Sequence, residues 1–267
     1  PNVKNSARLH YGVCGHVGVA QKLPKLIVGH RVVFDGQRIL RLAFISHVVR
    51  RVGQPHVNQL LAAQLLNNST EGNKAPSPGG EGVGAEVTED SLAYLRKERE
   101  YKNLLLVEQP NGDWGQTILR QYLFSQYQYL LFEQLQHCSD EQLAAIAAKS
   151  IKETRYHVRW SSEWVLRLGD GTGESHARML KAIDELWRYT GEMFMPASYE
   201  NSLNIDPASL KKAWEEKVNT LFTEASLPVP EKVFMQSGGK TGTHTEQLGF
   251  ILTELQYMQR AYPNCEW

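Results

Sequence analysis

This sequence predicts an all-α, antiparallel helical bundle over residues 88–267, and three observations predict it. Apolar residues recur in that stretch at spacings of three and four, the period of one helix face. Helix punctuation is frequent: Asp206-Pro207 reads as an N-cap followed by proline in the first turn, and GDGTG at 169–173 reads as a stop. The alternation of apolar and polar residues that marks a half-buried strand does not occur there.

The elements follow in order. Thr88 caps a first helix whose Glu89 and Asp90 suit the positive end of the helix dipole, and the helix runs through AYLRKEREYKNLLLVEQ to a stop near Pro110-Asn111-Gly112. A second helix is predicted from about 113 to 137, with Trp114, Ile118, Tyr122, Ser125, Tyr129, Phe132 and Leu135 near one face. Ser139-Asp140-Glu141-Gln142 has the form of a capping box with Ser139 as the cap. It opens a third helix that turns Leu143, Ala147, Ile151, Thr154, Val158, Ser161, Val165 and Leu168 inward as far as GDGTG. The fourth, from about 174 to 194, carries Met179, Ile183, Leu186, Trp187, Thr190 and Phe194. The fifth starts at Asp206-Pro207 and carries Leu210, Trp214, Val218, Leu221 and Phe222. The last spans about 243 to 262, with Leu248, Ile251, Leu252, Leu255 and Met258 inward and Pro263 as its stop.

The rest of the chain reads differently. With 267 residues, 42% apolar and 22% charged, there is ample material for a core. Formal charge sums to zero, yet residues 1–80 hold ten Lys/Arg against only Asp35 and Glu71, so the remainder is correspondingly acidic. Residues 1–66 form an atypical basic segment, expected to be the least ordered part. Residues 67–87, within NNSTEGNKAPSPGGEGVGAE, form a Gly/Pro/Ser-rich loop or linker. Cys14, Cys138 and Cys265 are scattered without CxxC spacing, which excludes a disulfide scaffold or zinc knuckle and fits a reducing cytoplasm. The most apolar run, Ile39 to Val52, is interrupted by Arg41, His47, Arg50 and Arg51, so no membrane span is expected. No signal peptide is evident, and a cytoplasmic location is expected.

Three blocks carry a resemblance: AYLRKEREYKNLLLVEQPNGDW, AAIAAKSIKETRYHVRWSSEWVLRLGDGTGES and GGKTGTHTEQLGFILTELQYMQRAYPNCEW. In this order they resemble the structural (C) subunit family of the bacterial multicomponent phenylacetyl-CoA monooxygenase, a ring 1,2-epoxidase. The resemblance implies a ferritin-like bundle with additional C-terminal helices. It also implies partnership with a catalytic A subunit, as a heterodimer or higher assembly with further oxygenase subunits, in aerobic phenylacetate degradation. The iron would sit in that partner, and NADPH, flavin and an Fe–S cluster in a reductase subunit. No cofactor is then expected on this chain. In the N-terminal third only Cys14-Gly15-His16 matches the family pattern, so nothing is carried onto residues 1–87.

Ferritin-like di-iron proteins take a carboxylate from each of two helices and a Glu-x-x-His pair from each of the other two. Here His157 is preceded at i−3 by Thr154, a neutral hydroxyl, while Glu153 stands at i−4. Between Asp113 and Glu133 there is no acidic residue, and Gln121, Ser125 and Gln128 occupy the polar inward positions. The six residues Gln121, Ser125, Gln128, Glu153, Thr154 and His157 are therefore expected to mark a vestigial pocket without metal. No catalytic residue is expected.

Other signals are weaker. Ser237-Gly238-Gly239-Lys240-Thr241-Gly242 suggests a phosphate loop, but Phe234 stands where its first glycine should be and no strand precedes it. Lys240 and Thr241 are kept as a contact for a CoA phosphate or a partner subunit. His176, His244 and Glu246 read as caps or solvated groups. Trp160, Trp164, Trp187 and Trp214 read as core or interface packing. The expected function is a structural subunit that docks to and stabilises the di-iron subunit, with no nucleic-acid or membrane partner. The rivals are an active di-iron oxygenase subunit and a stand-alone helical binding protein with a basic arm.

Overall fold

A computed structural model describes residues 94–200 and 203–262. The basic segment 1–66, the linker 67–87, the Thr88 cap, Cys14-Gly15-His16 and Cys265 lie outside the described residues, which all belong to the compact unit Val33–Trp267. Among the described residues there are six α-helices and no strand: α1 Leu105–Glu108, α2 Trp114–Leu135, α3 Glu141–Gly169, α4 Gly173–Leu186, α5 Pro207–Glu224 and α6 Glu246–Ala261. The arrangement is consistent with a ferritin-like bundle. None of these helices is long and apolar enough to cross a membrane.

Asp113 caps α2 by accepting from the Gln116 N–H, and the turn 136–140 folds α3 back along it in the most extensive helix pairing of the fold. The cap of α3 is Asp140 rather than Ser139; its carboxylate accepts from the N–H groups of Gln142 and Leu143. A carboxylate is the stronger acceptor and adds favourable charge at the helix start, which is why it displaces the neighbouring hydroxyl. Asp206 caps α5 in the same way, with Pro207 in the first turn as expected.

The second helix does not have one buried face. Ile118, Leu119, Tyr122, Leu123, Phe124, Tyr127, Leu131 and Phe132 surround it with buried side chains, because α2 is the central helix and contacts α1, α3, α4 and α5. Trp114, expected inward, is 48% exposed at its N-terminal end. Trp187, Trp214, Phe222 and Phe194 stack at centroid distances of 5.4–5.9 Å, and Tyr127 meets Phe194 at 5.8 Å. Trp214 also donates its indole N–H to the Leu123 carbonyl at 3.0 Å, fixing α5 against α2.

Three expectations on element limits are corrected. The helix drawn through 88–109 is broken: a 3₁₀ turn at Glu98–Glu100 gives way to extended backbone at Tyr101 and Leu104 before the short α1. Tyr101, Leu104, Leu105 and Leu106 are all buried, so the segment buries consecutive positions rather than one helical face. The fourth helix ends at Leu186, after which the chain tightens into 3₁₀ turns at Trp187–Tyr189 and Gly191–Phe194. Thr190 Oγ1 bonding the Trp187 carbonyl at 2.8 Å favours that tightening. In α6, Leu248 and Leu252 are buried as expected, but Met258 is 41% exposed, and Gln256 takes the inward place instead.

Candidate functional site

On α2 and α3 the six pocket candidates fall into two groups. Ser125, Gln128 and Thr154 are buried, and Gln121 Nε2 donates to Ser125 Oγ at 2.6 Å. Thr154 turns its hydroxyl back to the Ser150 carbonyl at 3.1 Å, and Ser161 does the same to the His157 carbonyl at 2.6 Å. Such back-bonding satisfies a buried hydroxyl within its own helix. Glu153, by contrast, faces solvent, and its contact with His157 is long, 4.0 Å. Partial burial lowers the His157 pKa below its ordinary value, opposed by the Glu153 charge.

A di-iron centre needs several charged carboxylates converging with imidazoles in the bundle interior. The facing positions of α2 and α3 offer amides and hydroxyls, with Gln121, Ser125 and Thr154 engaged in hydrogen bonds, and Glu153 is directed outward. These residues do not fit such a centre. Among the described residues, no group of three or more His, Cys, Asp or Glu is arranged to hold a metal ion. Cys138 is a buried free thiol whose pKa burial pushes up, the opposite of an activated nucleophile.

The buried carboxylates lie elsewhere, where the 238–246 segment closes over 101–109. Glu108 accepts at Oε1 from Asn103 Nδ2 at 2.7 Å and faces His244 Nδ1 at 2.6 Å; at Oε2 it accepts from the N–H and hydroxyl of Thr245 at 2.9 and 2.8 Å. His244 Nε2 is 2.9 Å from the Tyr101 carbonyl. Both ring nitrogens therefore face oxygen acceptors. His244 is neither a cap nor solvated, contrary to the sequence reading; the signal missed was that GTHTE sits opposite the buried Glu108 of LLLVE.

A second buried acid is Glu192. It accepts from the Leu105 N–H at 2.9 Å, the Gly238 N–H at 2.7 Å and the Lys240 N–H at 3.2 Å. The Lys240 ammonium is buried as well: it pairs with Glu200 at 2.9 Å and donates to the carbonyls of Met193 and Met195 at 3.2 and 2.9 Å. All three of its donors are used internally, so Lys240 is not presented to a CoA phosphate or a partner, and that expectation is corrected. Thr241 is exposed, but its hydroxyl bonds the Gly238 carbonyl at 2.8 Å and its carbonyl accepts from Lys102 Nζ at 2.9 Å. Gly239 is packed so closely that an added Cβ would lie 2.1 Å from the Asn103 carbonyl oxygen. His176 bonds the Gly169 carbonyl at 2.7 Å, and Glu246 is an exposed first-turn acid of α6.

The first and last of the three blocks read from the sequence thus meet in space, where 101–109 and 238–246 form one structural unit. Its carboxylates and cations satisfy backbone groups across the joint, an arrangement that holds chain segments together.

Comparison with known proteins agrees with these blocks. A family model described as phenylacetic acid catabolic protein matches residues 78–267, beginning inside the 67–87 segment. Among curated relatives, the chain is similar to the C subunit of 1,2-phenylacetyl-CoA epoxidase from Escherichia coli (strain K12). The two are 47% identical over 190 residues, covering 69% of this chain and 77% of the relative.

Proposed function

The chain belongs to the phenylacetic acid catabolic protein family, and from that premise we propose that it is the structural, non-catalytic subunit of a phenylacetyl-CoA epoxidase complex. In this role it docks to a di-iron catalytic subunit and stabilises it, while a separate NADPH-dependent reductase supplies electrons. The observation that carries the reading is the α2–α3 interior, where Gln121, Ser125, Gln128 and Thr154 stand in place of charged ligands, in a chain 47% identical to that epoxidase relative. Neutral side chains there remove the mutual repulsion that clustered carboxylates impose when no metal balances them. The subunit then keeps a bundle-shaped surface without needing iron to fold.

Three measurements test this. Elemental analysis after expression in iron-rich medium is expected to find no stoichiometric iron on this chain alone; about two iron atoms per chain would overturn the proposal. Co-expression with the di-iron catalytic subunit is expected to give one co-eluting complex on size exclusion. A higher melting temperature for the chain in the complex is also expected, because a partner that binds only the folded state stabilises it by mass action.

A further inference from the structure

The outer face of α3 gathers exposed cations and aromatic rings. Lys149, Lys152, Tyr156 and Arg159 recur at spacings of three and four, so they share one side of the helix, with Arg155 beside them. Lys149, Lys152, Arg155 and Arg159 are all exposed over about 15 Å of helix. Among the described residues none of these four makes an ion pair with a carboxylate, although Lys181, Arg178 and Lys211 on α4 and α5 each do.

Aromatic rings run through the same face. Tyr156 is 56% exposed, with the Arg159 guanidinium 5.8 Å from its ring centre. One turn on, Trp160 and Trp164 meet the exposed Trp114 edge-to-face at 6.0 and 5.7 Å, and Arg167 lies 5.4 Å from the Trp164 ring. Rigid Tyr and Trp side chains beside Arg are the composition that dominates binding energy at protein interfaces, because they bury large area at low entropic cost.

We infer that the α3 face centred on Tyr156 and Arg159 is the surface through which this chain binds an acidic face of a protein partner. The inference rests on the proposed membership of an oxygenase complex and deepens it by naming the face and the partner's chemistry. Charge complementarity selects the occupant: four cations without carboxylate partners gain most from an acidic surface, which also steers the encounter. The face is a convex helix side, which suits a protein surface better than a small phosphorylated ligand, since such ligands need a concave site.

The test uses the full chain, with the di-iron catalytic protein of the complex as the probe. Affinity is measured for the wild type, for Arg155→Glu with Arg159→Glu, for Tyr156→Ala, and for Lys211→Glu with Lys212→Glu as a charge-matched control on α5. All the altered residues are exposed, and circular dichroism and melting temperature verify each fold. The α3 variants are expected to weaken binding by about tenfold or more, with the wild-type salt dependence reduced in the charge-reversal pair, while the α5 control binds as the wild type does. Equal weakening by the control, or no weakening by the α3 variants, overturns the assignment of the face and leaves the proposed function standing. A wild-type chain that does not bind the di-iron protein overturns the proposed function itself. Binding of DNA or RNA that is lost in the α3 variants overturns the protein-partner assignment.

Discussion

His244 Nδ1 lies 2.6 Å from Glu108 Oε1, and neither side chain reaches solvent: they are 0% and 1% exposed. Removing one member leaves the other buried without its partner, and such losses cost about 3–5 kcal/mol. His244→Leu and Glu108→Leu are each expected to destabilise the fold by that order. In the double variant only the part of the penalty that belongs to the pair itself is recovered, since Asn103 Nδ2, the Thr245 N–H and hydroxyl, and the Tyr101 carbonyl still lose their partners. Urea unfolding of the full cycle measures the coupling. By contrast Lys211→Ala, which breaks the exposed pair with Glu215, is expected to change stability by less than about 1 kcal/mol.

Gly239 and Gly249 make opposite predictions. At Gly239 an added Cβ would meet the Asn103 carbonyl oxygen at 2.1 Å and the Leu105 nitrogen at 3.1 Å, both rigid backbone atoms. Gly239→Ala is expected to lift the 238–246 segment from 101–109 and lower the melting temperature. At Gly249, inside α6, nothing lies within 4 Å of the added atom. Gly249→Ala is expected to stabilise by about 0.5–1 kcal/mol, because glycine pays the larger backbone entropy in a helix. A stabilised G239A or a destabilised G249A would contradict this account.

His157 gives the pH prediction. Its pKa is lowered in the folded chain, chiefly by burial and in opposition to Glu153. A base whose folded pKa is depressed binds its proton more tightly when unfolded, so its contribution is complete above the unfolded value of about 6.5. That contribution is lost as pH falls through the folded value. Imidazole resonances followed by NMR are expected to titrate below about 6.5 for this residue. A midpoint above that value would reverse the sign and refute the prediction.

The cap of α3 separates two adjacent residues. Asp140→Ala is expected to cost about 1 kcal/mol, as a lost N-cap does, whereas Ser139→Ala is expected to be close to neutral. Thermal unfolding of the two single variants decides between them.

These elements also show how far the sequence could be read. Asp206-Pro207 and the GDGTG stop are local signals, and α5 and the end of α3 lie where they point. Ser139 against Asp140 could not be separated from the motif alone, because both fit the pattern. The break at Tyr101 and Leu104 was hidden for a different reason. Leu105 donates its N–H to a carboxylate 87 residues away, and no local pattern in AYLRKEREYKNLLLVEQ contains Glu192. Lys240 is deceptive in the same way: GGKTG resembles a ligand loop, yet its ammonium is spent on Glu200 and two carbonyls from another part of the chain. His157 and Thr154, by contrast, could be placed on α3 from spacing alone, because helix periodicity is a local signal.

The joint between 101–109 and 238–246 also has a history in time. Glu108 and His244 are 136 residues apart, and at about 5–20 residues per second a ribosome needs roughly 7–27 s to travel from one codon to the other. Throughout that interval the nascent chain carries an acid whose buried partner has not yet been made. The segment 101–109 must therefore wait, hydrated or held by chaperones, while α2 to α5 assemble beside it. Final closure is a late event of synthesis, and a ribosome that stalls before residue 244 leaves a bundle with its seam open.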